Sequence, residues 1–246
     1  MTAGFDRRIV ACLGSSSTAG KGQAFDWIGE LRRRPNNTLV EFRNFGVGGD
    51  LAYNALHRVP SVLASSPNKV VVWVGGNDVL ALVFGNVRRF FSISKHLPRE
   101  PSPEWFSENL VAIARRLKTG TSASIGFCSL SPIGEDLDST NPVQSELNRR
   151  IEQYSAIIAE VARAENCTYI PLYEAMLAQI RTSPGRAFTT FRFLPFYRDA
   201  WRVVILRQSP DEVARRNGWR FHTDGVHLNS HGGLIAAERV QDFIDS

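Results

Sequence analysis

Val70, Val71, Val72, Trp73 and Val74 follow one another without a polar residue among them. In a strand, successive side chains point to opposite faces, so such a run is apolar on both. It has to be covered above and below, which is the position of a central strand in a parallel sheet layered between helices. The rest of the chain supplies the cover. Short strand-like runs at residues 9–13, 38–42, 124–130 and 168–172 alternate with helical stretches. Residues 25–34 predict a helix ended by Pro35 and an Asn36-Asn37 turn. Asp50 is expected to cap a helix running through His57 and stopped at Pro60. Ser102, Pro103 and Glu104 place cap, proline and acid at the start of a helix reaching about Lys118. After Asn141-Pro142, the positions Val143, Leu147, Ile151, Tyr154, Ile158 and Val161 keep helical spacing to about Asn166. A further helix follows the fifth strand through Ile180, Ser209 to Glu212 opens a short one, and Ser230 is expected to cap the last. Residues 80–100 read either as an irregular loop or as a short helix. Right-handed crossovers follow from the alternation. With no repeat and no linker, the expectation is a single α/β domain over residues 1–246, interrupted by an insertion or lid at about 183–220.

That insertion is where the charge lies. Of a net charge of +5, residues 183–220 contribute eight arginines against three acids, so the remainder is formally neutral. The same span holds Phe188, Phe191, Phe193, Phe196, Tyr197 and Trp201. No base-reading motif accompanies the charge, so no nucleic-acid partner is expected. Three cysteines are an odd count without metal-like spacing. Cys12 and Cys128 fall inside apolar runs, as small core residues do. Neither a metal nor an organic cofactor is expected. Residues 1–8 carry no apolar signal region, and no run reaches membrane-spanning length. The expected location is cytoplasmic.

The first strand ends in Gly14-Ser15-Ser16-Ser17-Thr18-Ala19-Gly20-Lys21. A P-loop would need glycine where Ser15 stands and a hydroxyl where Gly22 stands. A Gly-x-Ser-x-Gly elbow would need glycine in place of Thr18. Read with three distant segments, the stretch resembles the first block of the SGNH (GDSL) hydrolases. Phe45 to Asp50 is similar to the second block, Gly75-Gly76-Asn77-Asp78 to the third, and Asp224-Gly225-Val226-His227 to the last. All four stand in order across nearly the whole chain, with Ser15 where the family usually has Asp and Ser17 where it has Leu.

The residue types suit acyl transfer. A serine hydroxyl needs a base to take its proton, histidine is poised for that near neutrality, and a carboxylate on the far ring nitrogen fixes the tautomer. The resemblance implies Ser16 as nucleophile, His227 as base and Asp224 as its orienter. It implies an oxyanion hole from the backbone N–H of Ser16 and Gly49 with the Asn77 amide, on a flavodoxin-like five-stranded parallel sheet in three α/β/α layers. It also implies a small-molecule ester or thioester substrate; lipases, lysophospholipases, thioesterases and carbohydrate acetylesterases all occur among such hydrolases. Of the remaining histidines His222 flanks Asp224 most closely and reads as structural. Within the insertion, Phe193 and Trp201 beside Arg192, Arg198 and Arg202 are expected to receive an apolar acyl chain next to an anionic group. Contact of this segment with a partner or a membrane surface is a further reading. Two other classes compete. One is a P-loop-like nucleotide-binding protein using Gly20 and Lys21, with Asp78 as the magnesium-holding acid. The other is a non-catalytic binding module on the same fold.

Overall fold

The computed structural model describes residues 7–246, so most of the stretch read for a signal region lies outside the described residues. Five parallel strands form one sheet in the order β2-β1-β3-β4-β5. They are β1 (Arg8–Gly14), β2 (Val40–Gly46), β3 (Lys69–Trp73), β4 (Ser124–Cys128) and β5 (Thr168–Ile170). The helices in chain order are α1 (Ser16–Ala19), α2 (Trp27–Arg33), α3 (Ala52–Leu63), α4 (Gly76–Val83), α5 (Gly85–Ser94), α6 (Pro103–Gly120), α7 (Pro142–Ala164), α8 (Leu172–Thr182), α9 (Phe193–Val204), α10 (Pro210–Asn217) and α11 (Ser230–Asp245).

The two-sided apolar run does what its pattern requires. Val70 and Val72 of β3, with Ala11 and Leu13 of β1, pack under α3, α4, α6 and α7. Their neighbours Val71, Trp73, Val10 and Cys12 pack on the opposite face with α2, α8 and α11. Strand order reverses between β1 and β3, and the crevice beyond the carboxyl ends of those strands is where open α/β sheets take their ligands.

The elements depart from the sequence reading in a few places. β2 runs four residues past Phe42, because an edge strand tolerates the polar Arg43 and Asn44. α3 continues through Pro60 to Leu63: Val59 and Val62 are buried on either side of the proline, and that burial outweighs one lost hydrogen bond. Its N-cap is Leu51, not Asp50. Asn229, not Ser230, caps α11 by accepting from His231 and Gly232. Residues 80–100 resolve into the end of α4 and the whole of α5. No helix among the described residues is long and apolar enough to cross a membrane.

Candidate active site

Ser16 begins α1 directly beyond β1. The turn is tight: a side chain on Gly14 would collide with the Thr18 hydroxyl and meet the Trp73 carbonyl at 2.7 Å. The Ser16 Oγ–H lies 2.9 Å from His227 Nε2, to which it donates. On the other side of the ring, Nδ1–H donates to Asp224 Oδ2 at 2.8 Å. The second carboxylate oxygen accepts the backbone N–H of Val226 at 3.0 Å and of His227 at 2.8 Å, so the carboxylate shapes its own loop. Burial works against the charge on Asp224, but the facing His227 and these hydrogen bonds prevail and hold its carboxyl below the usual range. Burial likewise works against imidazolium on His227, and the Asp224 carboxylate outweighs it, holding the ring above its ordinary value.

Two further loops converge on Ser16. Gly49 sits at φ +76, a left-handed conformation suited to glycine. Asn77 is buried in the first turn of α4, and its amide donates to the Asp50 carbonyl at 2.9 Å. An amide nitrogen carries two hydrogens, which leaves one for the crevice. Asp50 ties the loops together. Its carboxylate accepts Arg58 Nε at 2.9 Å and Lys95 Nζ at 2.8 Å. Arg58 reaches on to the Gly14 carbonyl at 2.9 Å, and Lys95 to the Gly48 carbonyl at 2.6 Å. The loop bearing Gly49 is thereby fastened to the end of β1.

The loop bearing Asp224 and His227 has its own fastening. The fully buried Glu135 accepts the backbone N–H groups of Arg220, Phe221 and His222 at 2.9, 2.7 and 2.9 Å. Glu135 Oε1 also lies 2.9 Å from His222 Nδ1, and His222 Nε2 lies 2.9 Å from the Pro132 carbonyl. Burial opposes the charge on Glu135, but the His222 ring and the backbone donors hold its carboxyl below the usual range. His222 is thus a clamp on the site's supporting loops.

Ser16, His227, Gly49 and Asn77 line one cavity of about 420 Å³. Leu80, Phe90, Phe91, Phe191, Phe193 and Phe196 form its apolar wall, and Lys21 and Tyr197 also line it. Of the insertion residues singled out in the sequence, Phe193 faces this cavity. Arg192 and Arg198 line a neighbouring cavity of about 240 Å³, and Arg202 and Trp201 line neither. Arg202 instead pairs with the buried Asp199 at 2.9 Å. Of the residues in the P-loop reading, Lys21 lines the larger cavity and Asp78 does not. Asp78 is buried, its Oδ2 accepts the Ala52 N–H at 3.2 Å, and burial pushes its carboxyl up to about 7.

Residues 12–233 match the GDSL-like lipase/acylhydrolase family. The chain belongs to that family. It is accordingly a carboxylic ester hydrolase. Solved structures of similar fold include the acetyl xylan esterase AlAXEase, at 21% identity and TM-score 0.64 over 96% of this chain and 99% of that one. Axe2, an acetylxylan esterase from Geobacillus stearothermophilus, aligns at 15% identity and TM-score 0.63 over 97% and 94%. A member of the lipolytic G-D-S-L family from Veillonella parvula aligns at 15% and 0.60 over 97% and 98%. At these identities the likeness is one of fold. A search of curated proteins finds no match.

Proposed function

We propose that this hydrolase acts through an acyl-enzyme on Ser16 and takes esters whose acyl group is apolar. The 2.9 Å contact between Ser16 Oγ and His227 Nε2, at the floor of an aromatic cavity, carries the reading. His227 Nε2 takes the hydroxyl proton as Ser16 Oγ bonds to the ester carbonyl carbon. Asp224 keeps the remaining ring proton on Nδ1 and stabilises the imidazolium. The oxyanion rests on the N–H groups of Ser16 and Gly49 and on the Asn77 amide. As the intermediate collapses, His227 returns its proton to the departing alcohol. The same ring then deprotonates a water that attacks the acyl-enzyme, releasing the acid and restoring Ser16. A non-catalytic binding module would need none of this alignment.

The acyl preference follows from the wall's polar inventory. Gln23 Nε2 donates to the Phe196 carbonyl, Ser94 Oγ to the Phe90 carbonyl, and Lys95 is held by Asp50 and Gly48. A sugar brings many hydroxyls that need partners when buried, and little remains beyond Lys21, the Tyr197 hydroxyl and Gln23 Oε1. Six apolar side chains suit a hydrocarbon instead. In this reading residues 1–246 work as a single domain whose 183–220 insertion walls the pocket. In an ester series of rising acyl length, kcat/KM should climb up to about fourfold per methylene beyond acetyl. Phe193→Ala should cost roughly tenfold on the longer esters and little on acetate. An optimum at acetyl, indifferent to Phe193→Ala, would remove the acyl assignment.

A further inference from the structure

We infer that the outer face of α9, with the exposed edge of α5, seats on an anionic lipid surface and turns the mouth of the ester pocket toward it. Large apolar side chains left in solvent are concentrated here. Leu194, Tyr197, Trp201 and Val204 of α9 and its C-cap Ile205 fall at spacings of three, four, three and one, so they share one face. Leu194 is 82% exposed, and Leu206 beyond the helix is exposed as well. On α5, Ile93 is 77% exposed and Phe90 is also in solvent. The Phe90 and Phe193 rings lie 4.9 Å apart, which joins the two helices beside the pocket they both line. Contiguous bare apolar surface marks a docking site. A helix with aromatic and aliphatic residues on one side and arginines beside them is the form that lies in a membrane interface.

Charge selects the occupant. Arg89, Arg192, Arg198 and Arg207 are exposed on these two segments. Residues 84–99 contain no acid, and residues 183–208 contain only Asp199. Asp199 is buried, with Arg202 at 2.9 Å and the Asn217 amide at 2.8 Å on its two oxygens. A second copy of the same face would bring arginines against arginines with no exposed carboxylate to answer them. An anionic bilayer supplies the missing charge and accepts the apolar stripe as well. Phe90 and Tyr197 line the pocket and also stand in this face, so an ester drawn from the lipid would reach Ser16 without crossing water. That supply route rests on the ester-hydrolase mechanism proposed above; the binding does not.

The test is co-sedimentation of the full chain with vesicles of phosphatidylcholine alone or with about one-third phosphatidylglycerol. The protein should pellet with the anionic vesicles and stay in solution with the neutral ones. Each Arg→Gln change at 89, 198 or 207 should weaken binding about fivefold. Leu194→Ser with Ile205→Ser should weaken it about tenfold or more, with an unchanged melting temperature and unchanged turnover of a soluble short-chain ester. Trp201 gives a direct signal, since Trp27, Trp73, Trp105 and Trp219 are all buried. Its emission should shift to the blue on anionic vesicles, and Trp201→Phe should abolish the shift. Binding unaffected by the Leu194/Ile205 double change would overturn the proposal. So would a dimer in sedimentation equilibrium that the same change dissociates, without vesicle binding. Loss of vesicle binding with esterase activity intact rejects this surface alone, and vesicle binding without esterase activity rejects the mechanism alone.

Discussion

The loop that carries Asp224 and His227 and the helix α9 that walls the pocket lie side by side and are held in opposite ways. The loop is tied by polar bonds at every step. Glu135 takes the three backbone donors ahead of it, Asn229 donates to the carbonyls of Arg220 and His222, Thr223 N–H reaches the His227 carbonyl at 2.7 Å, and Gly134 N–H reaches that of Gly225 at 2.8 Å. α9 has few such ties, chiefly Gln23 to the Phe196 carbonyl and Asp199 to Asn217, and otherwise rests on ring-to-ring contacts. The difference matches the roles proposed for the two. Proton transfer tolerates little displacement, because a shift of about 1 Å can cost a hundredfold in rate. A wall proposed to receive substrate on one side and a lipid surface on the other gains from apolar contacts that can slide.

The most severe loss is expected inside the loop. Asp224→Asn should keep the geometry and lower kcat about ten-thousandfold, because the amide favours the wrong ring tautomer. The pH profile sharpens this. As the proposed base, His227 would act only when neutral, and Asp224 raises its pKa above the ordinary 6.5, so kcat/KM should fall on acidification through a value above 6.5. Without the carboxylate, burial remains and the limb should move to lower pH. A wild-type limb below 6.5 would contradict the pairing.

Asn77→Ala comes next, with kcat reduced about a hundred- to a thousandfold for one lost oxyanion donor. The change also strands the Asp50 carbonyl, so a stability cost of about 1–3 kcal/mol should accompany it. A large fall in melting temperature with normal kcat would make Asn77 a turn residue only.

The smallest expected effect is at the loop's support. Glu135→Gln keeps volume but turns an acceptor for backbone donors partly into a donor. In the folded fraction, kcat should drop about ten- to a hundredfold with KM unchanged. Lower stability with unaltered turnover per folded molecule would confine Glu135 to the fold.

Much of the fold and of the candidate site was legible in the chain because the candidate residues sit in short contiguous blocks. Ser16, Asn77 and the Asp224–His227 pair each follow or precede an element whose apolar pattern is plain, and a spacing of three positions suffices to bring Asp224 and His227 onto one loop. The flavodoxin-like order was read from the resemblance, and the two-sided valine run required a central strand whatever the order. What stayed hidden depends on long-range partners. Glu135 is 85 residues before Arg220 and nothing local marks it. Asp50 looks like a helix cap until Arg58 and Lys95 are brought to it. The arginines of the insertion were read from composition, which cannot say which way a helix turns. Once α9 winds, Phe193 and Phe196 face the pocket while Arg198 faces outward, and the wall is completed by Phe90 and Phe91 from a segment left undecided.

Ser16, and neither neighbouring serine, is the residue proposed to carry the acyl group. The most direct measurement is reaction with a fluorophosphonate followed by peptide mapping of residues 8–21. The adduct is expected on Ser16, with esterase activity lost in proportion to labelling and no adduct in Ser16→Ala. An adduct on Ser15 or Ser17, or an active preparation that takes up no label, would contradict the account.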